Sequence, residues 1–409
     1  MAASDQPVAA AITFRSVLAV REFRLLWLAD AQSLLGDQLA RVALAVLVYD
    51  RTGSGLATSA VYALTFLPAL FGNVLLGHLA DRLPRRGLLV AGDLIRMVLL
   101  AGMAVPGVPV AVMAVLLVAA VTVGTPWKAA ESALVVDLVD AASYPVGTAL
   151  RTATGQAAQL LGFGVGGVVV GFVGARNALA LDALTFAVSA ALIYTGIKPR
   201  PPAAVLAERG RWWHGSAAVL RDRRLRSLLA FSWLIGLLVI PEGLAAPYAA
   251  TLGGGSGTVG LLLAAGPAGV LVGSLVFTRL LSAPTRAALL GPLAVAAGLP
   301  LCACALRPGL AMTVVLWVVS GVCTAFQVQV VTEFVAVVPP AMRGQGIAVA
   351  SSGLLAAQGL GLVAGGLVTQ VAAATTAVAV AGAGASLLAC LAASRRHAAR
   401  RDRAAGAPT

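Results

Sequence analysis

Residues 56–105 read LATSAVYALTFLPALFGNVLLGHLADRLPRRGLLVAGDLIRMVLLAGMAV. Two apolar runs, 56–79 and 87–105, flank the short segment GHLADRLPRR (77–86), which holds Asp81, Arg82, Arg85 and Arg86. About 20 mostly apolar residues make a helix long enough to cross the hydrocarbon core of a bilayer. The stretch therefore predicts two membrane spans joined by a basic turn.

The same pattern recurs along the chain. Twelve runs qualify: 24–49, 56–79, 87–105, 108–132, 149–172, 177–197, 226–248, 257–280, 287–306, 310–335, 345–370 and 374–394. Turn residues separate several of them, as at Ser54-Gly55, Pro106-Gly107, Gly253-Gly254-Gly255 and Pro308-Gly309. Of the 409 residues 59% are hydrophobic and only 11% charged, with a mean hydropathy of +0.93. An ordinary soluble domain carries roughly 25% charged residues. The composition excludes a disordered, collagen-like or disulfide-stapled secreted protein. Residues 1–22 contain Asp5 and lack an apolar core before a cleavage site, so the first run reads as a retained span rather than a signal peptide.

The net charge is +13. In a soluble protein this balance would suggest nucleic acid. Here the basic residues are sorted by loop, and no nucleic-acid partner is expected. An even number of spans puts both termini on one side, and that side holds 22 of the 29 Lys and Arg. The opposite side holds Arg51, Arg176 and Arg307. Basic residues gather in cytoplasmic loops, so both termini are predicted to be cytoplasmic in a multi-pass protein of the cell membrane. Such loops also meet anionic lipid. Only Lys128 and Lys198 are lysines, and the chain is rich in Ala, Gly and Val, which points to a high-GC bacterial genome.

The longest polar segment, 198–225, is broken by Pro199, Pro201 and Pro202. It divides the chain into an N-terminal tail (1–23), a six-helix bundle (24–197), a central loop (198–225), a second six-helix bundle (226–394) and a C-terminal tail (395–409). The part from Arg209 to Arg226, with Trp212 and Trp213, reads as an interfacial helix or as a solvated loop. An internal repeat links the halves. Ala157-Ala158-Gln159, Leu161-Gly162, Gly166-Gly167 and Val169 in the fifth run return as Ala356-Ala357-Gln358, Leu360-Gly361, Gly365-Gly366 and Val368 in the eleventh. The expected fold is all-α and integral to the membrane, with twelve transmembrane helices in two pseudo-symmetric six-helix bundles.

Segment 77–86 resembles the loop signature of the major facilitator superfamily, in which Gly77 allows close helix approach and Asp81, Arg82, Arg85 and Arg86 form a charged latch. Pro84 stands where the family usually has Gly. The resemblance implies that an acid after the fourth run, Glu131 or Asp137, meets the loop arginines. It also suggests that Arg343 meets Asp81 across the halves. Gly162-Phe163-Gly164-Val165-Gly166-Gly167 is similar to the family's exporter signature, with Phe163 in place of proline. Phe23 to Leu28, Gly36-Asp37 and Arg41, and Leu181 to Phe186, resemble the drug and siderophore exporter branch. The likeness covers about 15–394. It implies efflux of a small amphipathic compound by proton antiport, without a cofactor and as a monomer. An importer or lipid translocator of the same fold, or a relative that does not transport, stays open as an alternative.

A charge inside a membrane is costly and normally faces a partner or a cavity. Asp37 and Arg41 lie four residues apart and share a helix face, as a proton relay or as a static pair. Glu242, after the helix-kinking Pro241, and Glu333, near Gln327 and Gln329, are further proton-coupling candidates. Asp93 with Arg96 reads as a local structural pair, and Asp182 as structural. Asp30, Tyr62, Trp233, Gln327 and Gln329 are the expected lining of a substrate cavity. Gly162, Gly166, Gly167, Gly361, Gly365 and Gly366 are the expected packing positions. Cys302, Cys304, Cys323 and Cys390 sit in apolar runs and read as packing residues, not metal ligands. Without a phosphate-cradling Gly-Lys-Ser/Thr loop, direct ATP hydrolysis and other enzymatic roles are not expected.

Overall fold

The computed structural model describes residues 13–76, 79–200 and 219–405. Among these every regular element is helical. Twelve spans are long and apolar enough to cross a membrane: α1 (Arg21–Thr52), α2 (Gly55–Gly72), α3 (Arg85–Ala104), α4 (Val110–Leu138), α5 (Tyr144–Val173), α6 (Ala175–Gly196), α7 (Arg223–Gly243), α8 (Ser256–Leu280), α9 (Ala283–Leu306), α10 (Leu310–Val337), α11 (Arg343–Val368) and α12 (Ala374–Arg396). They coincide with the twelve expected runs. A short helix, Phe14–Ala19, precedes α1.

Several ends differ from the hydropathy reading because a helix continues past the apolar segment. Helix α4 runs on to take in Asp137, and the helix of α12 continues to Ala405. The start of α7 is fixed by a cap: Asp222 Oδ1 accepts the backbone N–H of Arg224 and Leu225 at 2.7 and 3.0 Å. Most of the central loop, with Trp212 and Trp213, lies outside the described residues.

Three spans are broken. In α2, helix Gly55–Ala63 gives way to a turn before Leu67–Leu76, with Pro68 in the first turn of the second piece. The α7 region is a string of short helices, with Pro241 in Ile240–Gly243 and a last piece, Ala245–Thr251, beyond it. Span α10 breaks between Cys323 and Phe326.

Lipid tails are as apolar as leucine, so helices in a bilayer associate through close packing. The repeated glycines show how. On α5, Gly162 packs on Gln38 and Leu35 of α1, and Gly166 on Leu39 and Val42 of α1. Gly167 faces the other half, where a Cβ would stand 2.7 Å from Gly260 Cα of α8. On α11, Gly361 packs on Gly236 and Gly365 on Ile240, both of α7, while Gly366 faces Leu56 and Ser59 of α2. Helix α5 thus meets α1 and α8 as α11 meets α7 and α2. The sequence repeat is a packing repeat, with one small residue per copy reserved for the opposite half.

The apolar core is continuous between the halves at one end only. One cluster joins Val42, Leu44 and Tyr62 of the first half to Leu244, Tyr248, Leu262 and Leu362 of the second. This is the end of the 53–54, 174 and 252–255 turns. Toward the termini the core divides. Phe23, Leu89, Trp127 and Leu134 form a cluster within the first half, and Leu229, Phe231, Phe326 and Phe334 one within the second. The core common to both halves lies at the turn end, and toward the termini each half keeps a core of its own.

That geometry gives a first prediction. Leucine at Gly260 would collide with the backbone of Gly167 and the Phe163 carbonyl. Gly260→Leu should wedge α5 from α8. Spin labels on Asp50→Cys and Ala250→Cys, in a background free of native cysteines, should then report a longer separation than in the parent. An unchanged distance distribution would refute the seam.

Candidate functional site

The buried charge is concentrated in the first half. Asp37 does not pair with Arg41, one turn along the same helix. It accepts two hydrogen bonds from Arg96 Nη2 of α3, at 3.0 and 3.2 Å. The Arg96 guanidinium also lies over the Phe186 ring of α6, with Cζ 3.9 Å from its centroid. Arg96 is therefore not the local partner of Asp93, three residues before it. Asp93 instead accepts from Ser189 Oγ of α6 at 2.5 Å. The i,i+3 and i,i+4 spacings make local pairs possible, but here the neighbouring helices supply better-aimed partners.

A second cluster lies nearer the termini. Glu131 of α4 pairs with Arg151 of α5, whose Nε stands 3.9 Å from Asp30 Oδ2 of α1. Glu131 is thus not the acid that meets the loop arginines. Asp30 is 8% exposed and belongs to this ionic cluster rather than to an open cavity wall. Neither Arg96 nor Arg151 was among the expected site residues. The signal for both was present, since each is an arginine in a span where an isolated charge needs an acid partner.

The loop motif makes its contacts within the first half. Arg85 pairs with Asp137 of α4 and donates to the Ala133 carbonyl at 3.2 Å. Arg86 donates to the Tyr194 carbonyl of α6 at 2.5 Å and lies over the Tyr194 ring. Arg82 and Arg343 are exposed. Gly77 and the Asp81 side chain lie outside what the structure describes, and so does the expected Asp81–Arg343 contact.

The second half holds fewer charges. Glu333 accepts from Arg396 Nη2 of α12 at 2.6 Å and from Gln329 at 3.0 Å. Gln327 donates to the Phe231 and Ser232 carbonyls, and Trp233 Nε1 to the Ala350 carbonyl. Gln327 and Trp233 thus brace helix against helix, and Gln329 holds Glu333 one turn along its own helix, contrary to the expectation that the three line a cavity. Long polar side chains in a span find backbone or charged partners because lipid offers none.

Among the described residues, one side-chain hydrogen bond crosses the seam. Tyr62 Oη of α2 donates to Glu242 Oε2 of α7 at 2.9 Å. Tyr62 is buried. Arg41 lines the same small cavity as Tyr62 and Thr65, and its guanidinium stands 5.5 Å from the Phe66 ring centroid. Arg41, read as the partner of Asp37, is instead the cation beside the Tyr62–Glu242 pair. At the turn end a half-open recess of about 330 Å³ runs along the same seam, lined by Tyr49, Asp50, Ala246, Ala250 and Ser256 among others.

The family model described as Major Facilitator Superfamily matches residues 26–241. No curated protein matches the chain. Among solved structures, the nucleoside transporter NupG is 18% identical, with 91% of this chain and 99% of that one covered at a TM-score of 0.74. A bacterial homologue of the human lysosomal transporter Spinster, in an inward-facing and occupied conformation, is 13% identical over 93% and 96% of the two chains, with a TM-score of 0.73. A POT family transporter bound to a thioalcohol-conjugated peptide is 12% identical over 91% and 95%, with a TM-score of 0.71. At these identities the likeness speaks for the fold alone.

Proposed function

This chain belongs to the Major Facilitator Superfamily, and from that membership we propose that it exports a small amphipathic compound by proton antiport with alternating access. A multi-pass membrane transporter of this type binds its cargo between two halves and exposes it to one side at a time. The observation that carries the reading is the divided core. The halves share one apolar cluster at the turn end and hold separate clusters toward the termini. By the distribution of basic loops the end where the core divides faces the cytoplasm, so this is the state that would take up cargo from inside the cell membrane. One chain supplies both halves, and a monomer suffices.

Proton coupling needs acids whose partners can be exchanged. Asp37 with Arg96 is the leading pair, because the Asp37 side chain is 29% exposed while Arg96 is largely enclosed. A proton reaching Asp37 would release the guanidinium. Arg41 and Glu242 at the seam, and Glu333 with Arg396, are the other coupling candidates. Export as the direction rests on the resemblance of Gly162 to Gly167 to the exporter signature. The excess of acids in the spans favours cationic or neutral cargo such as a drug, antibiotic, siderophore or secondary metabolite.

The test is compound accumulation in a bacterium stripped of its major pumps, with and without a protonophore, beside Asp37→Asn at matched expression. Protonophore-sensitive export that falls at least tenfold in the variant is the expected result. Inward flux of a compound in proteoliposomes, without export, would replace the reading with uptake.

A further inference from the structure

Helix α6 presents Asp182, Phe186 and Ser189 on one face, at the i, i+4 and i+7 spacing of a helical stripe. On α3 the facing residues are Asp93, bonded to Ser189, and Arg96, over the Phe186 ring. Asp182, one turn from Phe186, packs on α1 at Gly36, where any Cβ would run into Asp182 Oδ1. The next residue of α1 is Asp37, which holds Arg96. Three carboxyls from three helices thus gather on the side of α1 that faces α3 and α6, and one of them, Asp37, holds the Arg96 guanidinium.

The charge does not balance. Asp93 and Asp182 are both fully buried. Asp93 Oδ1 and Asp182 Oδ2 are enclosed with no hydrogen-bond partner among the described residues, and so is Arg96 Nε. The charged groups acting on Asp93 are Arg96, Asp37 and Asp30, and those acting on Asp182 are Asp37 and Arg96. The other cations of this half are occupied or distant. Arg151 serves Glu131 and Asp30, Arg41 stands beside Phe66 at the seam, and Lys128 is exposed. A carboxylate anion offers about four acceptor sites, and enclosing one with an oxygen bare and no cation of its own is costly enough that it neutralises instead.

The geometry points to Asp93 and Asp182 as proton-carrying carboxyls that share Arg96 with Asp37. While Arg96 is held by Asp37, both are protonated. When the partly exposed Asp37 takes up a proton, Arg96 is released and pairs with one of the buried carboxyls. That carboxyl then gives up its proton, so one proton is gained and one lost with the charge of the group unchanged. Asp93 lies in the half of α3 nearer the termini and Asp182 in the half of α6 nearer the turn end. The three acids therefore form a staggered route along the side of α1 that faces α3 and α6, with Asp37 its partly exposed member. This inference deepens the antiport reading and rests on it for its role, but the protonation itself can be read without transport.

Infrared difference spectroscopy on the purified, reconstituted protein gives that readout. Protonated carboxyl bands should be present at neutral pH, and carbon-13 labelling of aspartate should shift them without any substitution. Asp93→Asn and Asp182→Asn, each a shape match for the neutral acid, should each remove one band. Asp37→Asn frees Arg96 and should remove one band as well. Absence of aspartic acid bands in the parent, or survival of both in Asp37→Asn, would overturn the proposal. Bands that behave as expected in a protein with no proton-coupled flux for any compound would support the shared guanidinium and sink the antiport reading instead.

Discussion

Replacing Arg96 with alanine is expected to destabilise the protein by about 3–5 kcal/mol, the usual cost of removing one partner from a buried ion pair. The change strips the cation from Asp37 and leaves Asp93 and Asp182 with no guanidinium within reach. It also empties the space over the Phe186 ring. Asp37→Ala should cost less, about 1–2 kcal/mol, because the released Arg96 still has two carboxyls beside it to pair with. The asymmetry is the test. If Asp37 and Arg96 formed an isolated pair, the two alanine variants would differ only by the Phe186 contact, about 0.5–2 kcal/mol. Arg96→Lys should fall between them, since it keeps the charge but loses the two contacts to Asp37 and the guanidinium contact with the Phe186 ring. Denaturant midpoints in one detergent, compared across the three variants, would rank them, and a gap between Arg96→Ala and Asp37→Ala no larger than the Phe186 contact would refute the shared-cation arrangement.

What sequence could and could not reveal here divides along physical lines. Span number and the two halves follow from the length of apolar runs, a property of each segment alone, and the structure returns all twelve. The α5/α11 repeat was legible because close helix approach demands small residues at fixed spacing, and Gly167 and Gly366 do face the opposite half. The break in α7 was announced by Pro241. The break in α10, after Cys323, has no proline in or beside it, and the Ser320-Gly321 pair just ahead of it is a weaker signal than a proline. Polar partners were the least legible feature. Local spacing offered Asp37 to Arg41 and Asp93 to Arg96, while the fold gives Asp37 to Arg96 and Asp93 to Ser189. Spacing along one helix shows which groups can meet, and only packing between helices shows which do. The same reason turned Gln327 and Trp233 from expected cavity lining into braces.

Tyr62→Phe should loosen the closed end by tenfold or more while leaving the fold intact. Phenylalanine keeps the ring that packs in the shared core and deletes only the hydroxyl that donates to Glu242. Glu242 would lose the donor that reaches it from the other half. Leaving a buried acceptor without its donor costs about 1–3 kcal/mol, and 1.4 kcal/mol is a factor of ten in an equilibrium. The bond crosses between α2 and α7, so its loss falls on the closed arrangement and spares each half's own packing. Ser59 reports the state directly. It is fully buried in the seam, where a Cβ on Gly366 of α11 would run into its hydroxyl and one on Gly243 of α7 would stand 3.4 Å from its Cβ. A Ser59→Cys thiol, in a background without native cysteines, can react with an impermeant reagent only while the seam is open, so its labelling rate from the turn side tracks the open population. Tyr62→Phe should raise that rate tenfold to a hundredfold, and Glu242→Gln, which keeps an acceptor for the phenol, should raise it far less. A rate unchanged by Tyr62→Phe would mean that the apolar seam alone keeps the turn end shut, and Glu242 would lose its place among the coupling residues.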